Sequence, residues 1–364
     1  MAINTIGAFD AIDHAPPARR YLVSPRSDPW LLGGIGIAAW LFFSAPSWGA
    51  LPTLPPVVEG PLYWALIAIS GTHFGASYHL AYGQGRHHVR RSGVLLIGVP
   101  VALFLTVSAV TIASLSGGVD IANEVTSFLL VVVFTTTTWH YVKQVYGVAR
   151  VGASLADLRL DPLTTHVLRY GLYPIWLLEA IKIWSGRSGG RFEETRIGYN
   201  VLPDFLVSAL AWITYGSIAV IAMVFIRLSL RSGRVPATMW TPYVAGFLWI
   251  LFQPSYASVV LVFGALHGLQ YLACAHRAEV AWGKERSAGR PNLWWSSAFG
   301  GALATGLLLV YWLPRLLTDA TQTTSLGAIP AALLFIFFNL HHYAVDASIW
   351  RFGGQHIGRI TGTR

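Results

Sequence analysis

Long apolar segments, separated by short basic stretches, constrain this chain more than any other feature of its sequence. Of its 364 residues, 54% are hydrophobic and only 11% are charged, and the mean hydropathy is +0.54. A soluble domain carries about 25% charged residues, so this composition is typical of a polytopic membrane protein. The net charge of +9 does not indicate nucleic-acid binding, because the basic residues lie between the apolar segments. We therefore expect an all-α fold of transmembrane helices.

About ten segments are apolar enough to cross a bilayer, which takes roughly 20 helical residues. They lie at 30–49, 61–83, 93–115, 122–147, 165–184, 203–227, 238–252, 255–277, 293–316 and 326–350. The expected organisation is a cytoplasmic tail over 1–28, a transmembrane domain over 29–350 and a second cytoplasmic tail over 351–364. Only Gln253 and Pro254 divide the seventh and eighth segments, so a kinked pair or a re-entrant element is an alternative there.

The basic residues also predict an orientation. If the amino terminus is cytoplasmic, all but five of the 25 lysines and arginines face the cytoplasm. Such a bias predicts both termini on the inner side of a bacterial-type cytoplasmic membrane. The five residues on the outer side are Lys182, Arg187, Arg191, Arg196 and Arg315.

Seven of the twelve histidines lie inside apolar segments, on only four of the predicted spans. An imidazole within a bilayer is costly and needs a partner, so such a cluster predicts a functional site. The four spans run in the same direction in this topology, and a rise of 1.5 Å per residue then gives the depth of each side chain. One layer, roughly 12–16 Å from the cytoplasmic surface, contains His73, His140, His267, His341 and His342. His79 and His276 lie nearer the cytoplasm.

Polar side chains accompany these histidines at helical spacing. Residues three and four apart share a helix face, and a metal-ligating histidine usually gives its second N–H to a carboxylate or an amide. We therefore expect Asp346, Gln144 and Gln270 to orient imidazoles, and tyrosines to line the site. The candidate catalytic groups are Asp346, Tyr271 and Tyr343, and the candidate cofactor-binding groups are Gln144, Gln270 and Tyr78.

The available ligands are mostly imidazoles. Cys274 is the only cysteine, which excludes a thiolate cage, and the acids well inside the predicted spans are Glu179 and Asp346. Imidazole suits iron, copper, zinc and nickel. Zinc hydrolases often carry an H-E-x-x-H motif, and neither this motif nor the H-x-x-x-H and H-x-x-H-H spacings of membrane desaturases occur here. A non-haem iron centre with open positions for O₂ and a bis-histidine haem b both remain as interpretations.

Two short motifs resemble those of the Brp/Blh family of membrane β-carotene-cleaving dioxygenases. His73-Phe74-Gly75 is similar to one histidine motif of that family, and His342 with Asp346 four residues later resembles another. The family binds one iron through single histidines on separate helices. The resemblance therefore implies His73 and His342 as ligands, with His140 and His267 completing the set. The early Pro-His-Gly motif of the family has no counterpart in this chain.

The sequence thus predicts a membrane-embedded, histidine-ligated non-haem iron oxygenase or oxidase. Its expected partners are O₂, a lipid or carotenoid-like isoprenoid substrate and, for some reactions, an electron donor. The predicted ligands are His73, His140, His267 and His342, and His341, His79 and His276 are alternative or second-site ligands. Two other functions stay open: a haem b electron-transfer protein, and a transporter in which the histidines relay protons or metal ions.

Overall fold

Helices account for nearly all of the chain that a computed structural model describes, namely residues 20–45, 56–186, 191–192, 195–196, 198, 202–252, 259–286, 290–321, 329–351 and 354–361. In the first half these are α1 (Ile35–Ser44), α2 (Pro56–Tyr82), α3 (Arg86–Arg91), α4 (Val99–Leu115), α5 (Val119–Leu155), α6 (Pro162–Tyr170) and α7 (Tyr173–Trp184). In the second half they are α8 (Asp204–Ser232), α9 (Ala237–Leu251), α10 (Val259–Arg286), α11 (Pro291–Leu307), α12 (Leu313–Thr321), α13 (Ile329–Ile349) and α14 (Gln355–Thr361).

Smaller elements complete the fold. π-Helical turns at Trp30–Gly34 and Val94–Gly98 lead into α1 and α4, and a third at Leu308–Trp312 joins α11 to α12. Two-residue strands, β1 (Arg191–Phe192) and β2 (Thr195–Arg196), pair antiparallel. The predicted all-α fold is confirmed.

Five helical segments of the described chain are long and apolar enough to cross a membrane. They coincide with the third, fourth, sixth, ninth and tenth predicted spans, at Val94–Leu115, Val119–Leu155, Asp204–Ser232, Leu293–Thr321 and Ile329–Ile349. Large apolar side chains on them face outward, among them Phe104, Trp212 and Leu230. A multi-helix membrane protein is thus confirmed at this coarser level, while the count of ten spans and the cytoplasmic termini stay predictions.

Three of the predicted spans correspond to described helices that are shorter than a membrane span. The apolar helices at Trp30–Ser44 and Ala237–Leu251 have fewer than 18 residues, and at 1.5 Å per residue they fall short of a hydrocarbon core of about 30 Å. The predicted span over 165–184 is divided into α6 and α7, because Pro174 opens α7 and has no N–H to continue the ladder of α6. The predicted boundary at Gln253 and Pro254 lies outside the described residues.

The middle of the molecule is built on α2, α5, α10 and α13. Helix α2 packs against α10, α11 and α13, and α5 packs against α9 and α13. Glycines allow α2 and α11 to approach backbone to backbone: a Cβ at Gly75 would overlap the Ala302 carbonyl, and one at Gly306 would overlap the carbonyl of Gly71. Such small residues are the usual means of close helix packing in membranes. Helix α11 therefore closes one side of α2.

Helix α14 docks on this bundle through a buried histidine. The side chain of His356 is 1% exposed, and its Nε2–H donates to the Leu80 carbonyl of α2 at 3.2 Å. Its ring lies 5.9 Å from that of Trp282 on α10. Burial, and to a smaller extent the charge of Arg359, lowers the pKa of this imidazole to about 3. The docked helix therefore holds His356 in its neutral form.

Acid should loosen α14. The unfolded imidazole has a pKa of about 6.5, so the contribution of His356 to the free energy of docking is complete above that pH. This contribution decreases by about 1.4 kcal/mol per pH unit as the pH falls toward 3. We expect the protection of amides 355–361 against hydrogen exchange, corrected for intrinsic rates, to fall about tenfold per unit below pH 6.5. In His356→Gln, which does not titrate at this position, the fall that begins near pH 6.5 should be absent. The same pH dependence in both proteins would contradict this assignment.

Candidate metal centre

Four helices of the bundle bring one histidine each to a common point. These are His73 of α2, His140 of α5, His267 of α10 and His342 of α13. The ring centroid of His73 lies 4.5 Å from that of His342 and 5.1 Å from that of His267. The centroid of His140 lies 4.8 Å from that of His267 and 5.2 Å from that of His342. The four imidazoles therefore form a closed ring of neighbours, as expected for side chains at one depth on adjacent helices.

Asp346 comes as close to this point as the histidines do. Its Oδ2 lies 3.4 Å from His140 Nε2 and 3.6 Å from His342 Nε2. Candidate ligand atoms of His73, His140, His342 and Asp346 all lie within 4.8 Å of one another. Two atoms that bind one ion at about 2.1 Å are at most about 4.2 Å apart, so adjustments of about 0.6 Å would place this group around a single ion. The carboxylate, expected to orient imidazoles and to act in catalysis, is itself a candidate ligand.

Six of the eight ring nitrogens of these imidazoles are buried and have no hydrogen-bond partner among the described residues. Among the described residues, none hydrogen-bonds to Nε2 of His73, His140, His267 or His342, to Nδ1 of His73 or His342, or to Oδ1 of Asp346. A buried polar group without a partner costs about 1–3 kcal/mol, so several at one point indicate a site for a ligand. Imidazoles together with one carboxylate are donors that bind first-row transition metals. The residues therefore fit a metal ion.

Aromatic rings enclose the four imidazoles. Phe74 stacks on His342 with a centroid distance of 4.4 Å, and Tyr343 stacks on His140 at 4.7 Å. Tyr141 lies 4.3 Å from His267, and Tyr271 lies 4.2 Å from His73. Each imidazole is thus held by an aromatic side chain from a different helix. This packing fixes the orientation of the rings and keeps water away from them.

Two of these aromatic residues were not predicted from the sequence. Tyr271 and Tyr343 were expected to line the site, whereas Tyr141 was not named and Phe74 was named only as part of the His73-Phe74-Gly75 motif. The sequence contains a signal for both, because an aromatic residue directly follows the histidine in three of the four segments, at Phe74, Tyr141 and Tyr343. The hydroxyl of Tyr343 donates to Asn339 Oδ1 at 3.2 Å. Catalytic roles for the two tyrosines stay predictions.

The two glutamines act on the main chain, which corrects the expectation that they orient the rings directly. Gln144 Nε2 donates to the His267 carbonyl at 2.9 Å and to Gln270 Oε1 at 3.1 Å. Gln270 Nε2 donates to the Leu32 carbonyl at 2.7 Å. Their amides therefore fasten α5, α10 and the turn before α1 together. This network positions the backbone that carries His267.

His341 is engaged away from the ring of imidazoles, although it directly precedes His342. Its Nε2 lies 3.0 Å from the Tyr82 hydroxyl, which itself donates to the Leu96 carbonyl. The imidazole therefore donates from Nε2, and its Nδ1 accepts from the Tyr78 hydroxyl at 3.3 Å. Because both ring nitrogens of His341 form hydrogen bonds, this residue has a structural role, and Tyr78 is one of its two partners. Successive helical residues point about 100° apart, which separates the two histidines.

His79 and His276 contact residues outside the ring of four imidazoles, so they are not ligands of the same ion, and their role as second-site ligands stays a prediction. His79 Nε2 is 3.2 Å from Glu279 Oε1, and Glu279 Oε2 accepts from the indole of Trp294 at 2.8 Å. The ring of His276 packs against Trp295 at 5.2 Å. Glu279 was missed because it follows the predicted end of the eighth span, whereas α10 continues to Arg286.

Comparison of the chain with models of protein families, with curated proteins and with solved structures found no match.

Proposed function

We propose that this protein is a membrane-embedded oxygenase with a histidine-ligated non-haem iron, acting on a lipid or isoprenoid substrate. The observation that carries the proposal is the convergence of Asp346 and four imidazoles, three of them buried and that of His140 partly buried, with unpaired ring nitrogens inside an apolar helical bundle. His73, His140 and His342 would hold the ion together with Asp346 or His267. Bound iron would supply open coordination positions for O₂ and a change of oxidation state.

The spacing of the imidazoles supports a compact ion rather than a haem. In a bis-histidine haem the two ring centroids lie about 6 Å apart, on opposite faces of a macrocycle. Here each ring has two others as neighbours, edge to face, at 4.5–5.2 Å. A planar macrocycle between any two of them would have to separate them further. Haem b is nevertheless the alternative that the experiment must distinguish.

The residues around the ion would determine which oxidation is feasible. Four aromatic rings exclude water from the imidazoles, and this limits loss of reactive oxygen species to solvent. Cleavage of a C=C bond by O₂ gives two carbonyl groups, retains both oxygen atoms and needs no other reductant. Hydroxylation releases one oxygen atom as water and needs two electrons and two protons. The predicted electron donor is required only in the second case.

The test uses the full chain purified in detergent. Elemental analysis should find about one iron per chain, and the optical spectrum should lack a Soret band. With β-carotene as the probe substrate, O₂ consumption should accompany aldehyde formation, and ¹⁸O₂ should label both new carbonyl groups. A Soret band, or zinc in place of iron, would contradict the proposal. Iron and O₂ uptake with a different polyene or lipid would retain the enzyme class and change the substrate.

A further inference from the structure

A small cavity lies beside the metal centre, among α1, α5, α9 and α10. Its volume is about 30 Å³. His267 of the centre is one lining residue, and Ile35, which is 36% exposed on α1, is another. The side chains between them are mainly apolar, and they include Val145, Trp249, Ile250, Phe263, Leu266 and Leu269. The cavity therefore lies between one imidazole of the centre and a residue at the outer surface of the helical bundle.

Most polar groups at its wall are occupied by the protein itself, and the unpaired Nε2 of His267 would be occupied by the bound ion. The indole N–H of Trp249 donates to the Gly36 carbonyl at 2.7 Å, and the amide of Gln270 is bonded to the Leu32 carbonyl. The rings of Trp249 and Phe263 stack at 6.0 Å, with 7° between their planes. The remaining surface is largely hydrocarbon and offers little to hydrogen-bond a water molecule.

Glycines keep the cavity walls in place. A Cβ at Gly36 would lie 3.1 Å from the Ala245 Cβ, and one at Gly246 would lie 3.0 Å from Val145 Cγ2. These distances are shorter than ordinary van der Waals contact, so α1, α5 and α9 already meet as closely as their backbones allow. The cavity is therefore bounded by rigid helix contacts rather than by side chains free to collapse into it.

The size and polarity of the cavity select its occupant. One water needs about 10–15 Å³ and two to four polar partners, and apolar cavities stay dry and bind apolar species such as xenon. Pockets for lipid-sized ligands measure about 300–1,000 Å³. A cavity of about 30 Å³ thus takes an apolar molecule of two or three atoms and excludes a lipid.

We propose that this cavity is a binding site for dioxygen beside the metal centre. Dioxygen is apolar and dissolves better in hydrocarbon than in water, so the bilayer is its richest source. Entry past Ile35 and residence beside Trp249 and Phe263 would deliver it next to His267. The choice of dioxygen rests on the proposed oxygenase function, whereas the affinity for small apolar gases rests on the cavity alone.

Xenon is the probe for this site. Crystals of the full chain pressurised with xenon should show a xenon atom between Trp249, Phe263 and His267. Leu266→Phe and Leu269→Phe each add a ring at the wall, from partly buried positions that tolerate extra volume. Both variants should lose the xenon atom and retain wild-type metal content. Leu41→Phe, the same change at an exposed position of α1, should keep both.

Oxygen kinetics provide the second measurement. We expect the KM for O₂ to rise about fivefold or more in the two cavity-filling variants with kcat unchanged, since binding of O₂ is weakened and not the reaction itself. Leu41→Phe should show no change. A wild-type cavity without xenon, or filled variants with an unaltered KM for O₂, would overturn the proposal. Xenon in the cavity of a metal-loaded protein that consumes no O₂ would instead refute the oxygenase function and leave an apolar-gas site.

Discussion

Replacing His342 by alanine should remove the bound metal, whereas replacing the adjacent His341 should leave it in place. His342 has two unpaired ring nitrogens and lies 3.6 Å from Asp346, while both nitrogens of His341 are bonded to tyrosines. Changes even to groups behind a ligand cost 10–100-fold in metal affinity, so loss of a direct ligand should cost about 100-fold or more. Elemental analysis and competition with a chelator measure this difference.

The chain offers two further matched pairs on its other helices. On α2, His73→Ala should lose the metal and His79→Ala should keep it. On α10, the pair is His267→Ala and His276→Ala. Each pair compares two histidines of one helix, so a general loss of folding would affect both members. Equal loss of metal within a pair would contradict the assignment of the centre to the ring of four imidazoles.

Removal of the metal should reverse the effect of an apolar substitution at His73. This imidazole is 2% exposed with both nitrogens unpaired, and each such group costs about 1–3 kcal/mol when no ligand satisfies it. In the metal-loaded state His73→Leu should lower the Tm, because binding energy contributes to folding. In the metal-free state the free energy of unfolding of the same variant should exceed that of the wild type by roughly 1–3 kcal/mol, which corresponds to a rise of a few degrees in Tm.

Thermal unfolding in detergent, with and without a chelator, measures both states. His276→Leu is the control, since its ring packs on Trp295 outside the centre and its effect should not depend on metal. The four values form a cycle in which the sign of the His73→Leu effect changes with metal. A destabilisation of equal size in both states would mean that His73 is an ordinary packing residue.

The depth of the histidines could be predicted because it depends only on distance along a helix. A rise of 1.5 Å per residue applies to every helix, so apolar segments of known direction place their side chains in layers. This reasoning selected the histidines at 73, 140, 267 and 342, which the structure brings together. It also included His341, because adjacent residues on a helix share nearly the same depth. Depth alone does not say which way a side chain faces.

The rotation of successive residues about a helix axis also predicts which way a side chain faces, which depth alone does not. At about 100° per residue, His79 is rotated about 240° from His73, and His276 about 180° from His267. Both therefore face away from the side of the helix that carries the ring of imidazoles. Their contacts with Glu279 and Trp295 agree with this rotation. The periodicity of the sequence could thus have excluded them as ligands of the same ion.

The sequence by itself determined that this protein is a helical membrane protein and which side chains are available as metal ligands. Apolar segments with few charges require backbone hydrogen bonds within each segment, and a single cysteine leaves imidazole as the main ligand. The tertiary structure alone decided which helices are neighbours and how each is rotated about its axis. It brought Asp346 of α13 to His140 of α5 and laid an aromatic ring from one helix on the imidazole of another. The physical reason is that hydropathy and helix rise determine the position of a side chain along the bundle axis. Which helices are neighbours depends instead on contacts between residues distant in sequence, such as the close approach of Gly71 and Gly306.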